Sequence, residues 1–147
     1  MVATKDMTNA ITVTQLTIEG IQEPIVLRYF ETLNSGNFEE TSTLFAKDGA
    51  LHAPFESPIV GQEAIASYLK SEAQAMTLHP QEGIIEELND HNRQIKVTGY
   101  TETPWFSVNV AWQFILTPDQ EIFYTRVKLL ASPQELLKMR NDSDSTH

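Results

Sequence analysis

Residues 106–116, Phe-Ser-Val-Asn-Val-Ala-Trp-Gln-Phe-Ile-Leu, decide the fold. Phe106, Val108, Val110, Trp112, Phe114 and Leu116 alternate with Ser107, Asn109, Ala111, Gln113 and Ile115, the period of two that sends successive side chains to opposite faces of a strand. A strand with one nearly apolar face belongs to an antiparallel sheet packed on one side and wet on the other. Downstream, Thr117-Pro118-Asp119-Gln120 supplies a hairpin loop. Residues 122–131 then alternate again, with Phe123, Val127, Leu129 and Ala131 expected on one side against Tyr124, Arg126 and Lys128. Upstream, residues 84–88 and 94–103 read as two further strands of the same meander.

The half of the chain before this sheet has helical spacing. A first helix is expected from Pro24, a residue suited to the first helical position, to Asn34, with Val26, Tyr29, Phe30 and Leu33 facing inward and Gly36 as its stop. Asn37, followed three residues later by Glu40, predicts a second short helix that buries Phe38, Leu44 and Phe45 and stops near Asp48-Gly49. A third helix over residues 62–76 carries Ile65, Leu69, Ala73 and Met76 on one stripe, with Glu72 at its border. Ser132, Pro133 and Glu135 open a last short helix holding Leu136 and Leu137. Helices first and sheet afterwards predict an α+β architecture in which a curved antiparallel sheet wraps the helices and encloses a cavity. Residues 1–19 are expected to form a flexible arm, residues 20–140 a single domain and residues 141–147 a disordered tail.

Composition narrows the function. The 147 residues hold ten Lys plus Arg against twenty Asp plus Glu, a formal charge of −10 that repels nucleic acid and anionic membranes. The chain has no cysteine, which removes disulfides, thiolate metal sites and thiol nucleophiles. No apolar run approaches a membrane span, so a cytoplasmic protein without stable membrane insertion is expected. His52, His79, His91 and His147 lack metal-ligand spacing, and no metal site is assigned. Nucleophile elbows and phosphate-binding glycine loops are missing too, and Asp48 before Gly49 reads as a turn-former rather than a base. No residue is therefore assigned a catalytic role. Tyr29, Trp105 and Trp112 are inward aromatics with one polar hydrogen each. They are either ordinary core residues bonded to backbone carbonyls or donors to an apolar ligand that carries a carbonyl.

Several runs carry a resemblance. Val26-Leu27-Arg28-Tyr29, Asp48-Gly49-Ala50-Leu51, Pro54-Phe55 with Pro58-Ile59-Val60-Gly61, Ile95-Lys96-Val97-Thr98-Gly99, Thr103-Pro104-Trp105-Phe106, Ala111-Trp112-Gln113-Phe114 and Leu129-Leu130-Ala131-Ser132-Pro133 occur in order between about Ile18 and Met139. Together they resemble the C-terminal domain of the orange carotenoid proteins, the Thr-Pro-Trp-Phe and Leu-Leu-Ala-Ser-Pro runs most specifically. That resemblance implies a nuclear transport factor 2-like cone and a ketocarotenoid ligand, canthaxanthin or echinenone. It implies that Tyr29 and Trp112 donate hydrogen bonds to the ring keto oxygen, that Trp105 and Phe106 form tunnel wall, and that Leu33, Val60, Leu78 and Val127 line the tunnel. Glu72 falls where the family meets its helical partner domain, and Leu136 and Leu137 lie in the helix that gates the pigment. The segment between Trp105 and Trp112 is shorter than in full-length relatives, which changes the tunnel near Trp105.

The function expected from the resemblance is a carotenoid carrier, not an enzyme. It would dimerise around one pigment, exchange it with helical carotenoid proteins, collect it near photosynthetic membranes and quench singlet oxygen when loaded. The alternatives are a ketosteroid-isomerase-like enzyme acting on a small apolar carbonyl compound, which lacks a convincing buried base, and a pure dimerisation domain.

Overall fold

The computed structural model describes residues 16–88 and 91–130. Most of the expected arm, the last helix with Leu136 and Leu137, and the C-terminal tail lie outside these described residues. The elements are α1 (Pro24–Asn34), α2 (Phe38–Thr43), β1 (Phe45–His52), β2 (Ile59–Val60), α3 (Gln62–Glu72), β3 (Thr77–Glu87), β4 (Arg93–Glu102), β5 (Ser107–Leu116) and β6 (Ile122–Leu130). The six strands form one sheet in the order β2-β1-β6-β5-β4-β3.

α1 has Pro at its start and Val26, Tyr29, Phe30 and Leu33 buried along one stripe, as the spacing predicts. Gly36 takes the left-handed conformation that ends the turn (φ 78°). The helix is pinned to the sheet by its last residue: Asn34 Nδ2 donates to the Leu78 carbonyl at 2.9 Å, and the Leu78 N–H donates to Asn34 Oδ1 at 2.8 Å. This reciprocal pair fixes the distance between the end of α1 and the beginning of β3. The buried Thr32 and Thr41 hydroxyls, 2.6 Å apart, hold α1 to α2.

α2 is shorter than the spacing predicts. It ends at Thr43, and Phe45 opens β1. The reason is tertiary: the Ile122 N–H donates to the Leu44 carbonyl at 3.0 Å, and Phe45 pairs with Ile122 across the sheet. This β1–β6 pairing is parallel, so the sheet is mixed rather than wholly antiparallel. A strand that reaches its neighbour by a long crossover is free to run parallel.

β3 begins at Thr77, well before the expected start at Ile84. Its alternation is broken by a register shift between Pro80 and Glu82, opposite Gly99 of β4. A Cβ at Gly99 would lie 2.1 Å from the His79 carbonyl oxygen, so the close approach requires glycine. A second shift, at the β5–β6 hairpin, puts Ile122 inside and leaves Phe123 exposed, contrary to the sequence expectation; Val127 keeps its inward direction. α3 stops at Glu72 with Ala73 as its cap, short of Met76. The end of the expected arm packs on the sheet: Ile18 is buried, and the Glu19 N–H donates to the Gln81 carbonyl.

The inner face of β4 and β5 carries Ile95, Val97, Val110, Trp112 and Phe114 against α1. Tyr29, Phe30, Phe45, Trp112 and Phe114 pack edge to face, with Phe30 4.9 Å from Trp112 and Tyr29 5.0 Å from Phe114 between ring centroids. This cluster is the floor of the cavity described next.

Candidate functional site

Beyond the aromatic cluster the curved sheet and the helices part, leaving an apolar cavity of about 360 Å³. Each side contributes by its own periodicity. The helical repeat of α1 brings Tyr29 and Leu33 to it, and that of α3 brings Tyr68 and Glu72, four residues apart. The alternation of β5 presents Val108, Val110 and Trp112, and that of β6 presents Val127 and Leu129. Leu78 enters from β3 beside the Asn34 clamp, and Leu51 of β1 lines the cavity together with Ala53 and Pro54 just after that strand.

The buried lining residues, Tyr29, Leu33, Leu51, Leu78 and Trp112, mark the inner end. Exposed ones, Glu56, Glu72, Met76, Phe106 and Leu129, mark the mouth. Polar groups are divided in the same way. Tyr29 and Trp112 are only 2% and 1% exposed. Among the described residues neither the Tyr29 hydroxyl nor the Trp112 indole N–H bonds to a protein group, and both residues line the cavity. Burial, with a smaller contribution from Tyr68, holds the Tyr29 phenol far above its ordinary pKa. Burial, then the Glu56 and Glu72 carboxylates, raise that of Tyr68 at the mouth. At neutral pH the inner end therefore offers two neutral donors, one O–H and one N–H, to whatever enters. That pair suits one carbonyl oxygen with two lone pairs. The lining carboxylates, Glu56 and Glu72, are exposed, and no group of His, Cys, Asp or Glu able to hold a metal ion occurs among the described residues.

Of the residues singled out in the sequence, the fold brings Tyr29, Trp112, Leu33, Leu78, Phe106, Val127 and Glu72 to one cavity. Two others it does not. Val60 is 60% exposed on the short edge strand β2, where its partner in alternation, Ile59, takes the inward side. Trp105 is 83% exposed, because Thr103 Oγ1 accepts the N–H of Trp105 at 3.3 Å and of Phe106 at 3.1 Å. That tight turn aims Thr103 and Phe106 at the cavity and tips Trp105 outward. Leu136 and Leu137 lie outside the described residues. The sequence reading missed Tyr68, Glu56, Thr101 and Thr103; the signal for Tyr68 was its position four residues before Glu72 on a helix already read as facing the core.

A curved sheet folded over helices around a cavity open at one end defines a class. The nuclear transport factor 2 (NTF2) domain matches residues 21–128, and the chain belongs to that family. Within it the chain is homologous to the orange carotenoid-binding proteins. It is 43% identical over 130 residues to that of Limnospira maxima, covering 86% of this chain and 41% of the relative. To that of Synechocystis sp. it is 44% identical over 128 residues, covering 84% and 40%. The Orange Carotenoid Protein of Anabaena (Nostoc) sp. PCC 7120, solved binding canthaxanthin, superposes with a TM-score of 0.79 at 44% identity, over 89% of this chain and 43% of that one. The chain thus spans about two fifths of the length of these relatives, as a homologue of their C-terminal domain does. No helix among the described residues is long and apolar enough to cross a membrane.

Proposed function

We propose that this chain is a ketocarotenoid carrier. The ring of canthaxanthin or echinenone occupies the inner end of the cavity, where Tyr29 and Trp112 donate to its keto oxygen while Leu33, Leu78, Phe106 and Val127 pack its polyene. The observation that carries this reading is the pairing of two neutral donors at the closed end of an otherwise apolar cavity. In a low-dielectric site such bonds strengthen, and they draw electron density along the conjugated chain toward the oxygen. Homology to carotenoid-binding proteins supports the choice of ligand.

Capacity supports the assembly. At interior packing density a cavity of about 360 Å³ holds roughly twenty carbon atoms, about half of a carotenoid. The other half stands outside, next to the exposed Met76, Phe106 and Leu129, and a second copy is the simplest cover for it. The pigment is then shared by a two-fold dimer and passed to or from helical carotenoid proteins, with Glu72 at the mouth contacting the partner and Leu136 and Leu137 gating entry. Loaded protein quenches singlet oxygen. Enzymatic proton transfer beside the carbonyl is disfavoured, because among the described residues the carboxylates lining the cavity, Glu56 and Glu72, are exposed whereas Tyr29 and Trp112 are buried.

Stoichiometry tests the proposal. Pigment-free protein mixed with canthaxanthin should elute as a dimer with one pigment per two chains. Coloured protein at single-chain size, or protein that stays colourless, would contradict it.

A further inference from the structure

We infer that the same cavity also takes, whole and on a single chain, an apocarotenoid: a conjugated chain about half a carotenoid long that ends in an aldehyde or ketone. The inference rests on the reading of Tyr29 and Trp112 as carbonyl donors. Three features of the cavity carry it.

Its capacity is the first. A space that holds roughly twenty carbon atoms takes in only half of a carotenoid, but it takes in the whole of a molecule of half a carotenoid's size. Such a ligand leaves no long apolar segment in water, so it needs no second chain to cover it.

The second feature is the gradient of burial. The inner end is walled by buried rings, whereas the mouth is bordered by the exposed Met76, Phe106 and Leu129. An aldehyde terminus placed at the inner end meets the buried Tyr29 and Trp112, and the ring of the apocarotenoid then lies against the apolar Met76, Phe106 and Leu129 at the mouth.

The third is charge, which discriminates between oxidation states. A carboxylic acid of the same skeleton would bring an anion to the closed end, where only neutral donors meet it in an apolar setting, or to the mouth, where Glu56 and Glu72 repel it. Neither orientation suits the acid, and the first suits the aldehyde. The site therefore selects carbonyl compounds over the corresponding acids.

All-trans-retinal is the probe, run on a sizing column with the pigment-free full chain beside retinoic acid and canthaxanthin. Retinal should coelute at single-chain size, one per chain. Its binding should weaken about tenfold in Tyr29→Phe and in Trp112→Phe, the loss of one hydrogen bond each. Retinoic acid should bind at least about tenfold more weakly than retinal. Protein that takes up canthaxanthin but not retinal overturns this inference and leaves the carrier reading standing. Retinal held equally by both variants, held only by dimers, or matched by retinoic acid overturns it as well. Failure to bind either retinal or canthaxanthin removes the carrier reading together with the inference.

Discussion

Tyr29 is a phenol that folding takes out of water and leaves facing a cavity rather than a protein acceptor among the described residues. Two consequences belong to this residue. Removing its hydroxyl breaks no hydrogen bond among the described residues, so Tyr29→Phe should leave stability at pH 7 within about 1 kcal/mol of the parent by urea unfolding. Because its folded pKa is raised, the stabilisation it represents is complete below the ordinary phenol value of about 10 and is lost as pH climbs above it, where the unfolded chain ionises and the folded one does not. The parent should therefore lose stability more steeply than Tyr29→Phe between pH 10 and 11, by up to about 1 kcal/mol. A pair of urea titrations at those values checks the difference. Tyr29 and Trp112 were legible in the sequence because each sits on an unbroken apolar period, helical for one and alternating for the other. Trp105 was not, because a local hydrogen bond to Thr103 decides its direction, and no periodicity reports such a turn.

The elements that position the site differ in how openly they are written. α1 and β5 follow their periods from end to end, and both supply the inner wall. β1 and the start of β3 do not, since one is drawn into the sheet by pairing with distant β6 and the other is bent by a bulge at Pro80–Glu82. Gly99 is the residue that permits the bend. Gly99→Ala should cost about 1–3 kcal/mol, because the new methyl meets the His79 carbonyl and backbone must shift to admit it. Phe30, wholly buried between Tyr29 and Trp112, holds the floor of the cavity. Phe30→Ala should cost about 3–5 kcal/mol, with pigment uptake lost before the fold is. Thermal unfolding with and without pigment separates the two effects.

At the scale of the whole molecule, the proposed dimer joins two chains that each carry a formal charge of −10. Apolar contact and a shared pigment must outweigh that repulsion, which salt screens over about 10 Å at 0.1 M. Dimerisation of the loaded protein should therefore tighten as salt rises from 0.02 to about 0.3 M, as sedimentation would show; dissociation with salt would point to ion pairs across the interface instead. The fold class was legible from the order of helical and alternating segments, while the cavity's mouth was less so, because part of it is assembled from loop residues such as Glu56, Met76 and Phe106 that share no period.

The central claim is that Tyr29 and Trp112 bind a keto oxygen, and the visible spectrum reads it directly. Protein loaded with canthaxanthin should show an absorption band shifted to the red of the pigment in organic solvent, with Tyr29→Phe and Trp112→Phe each moving it back toward the solvent position. A band that both variants leave unchanged would mean that the keto oxygen lies elsewhere, and would contradict the account.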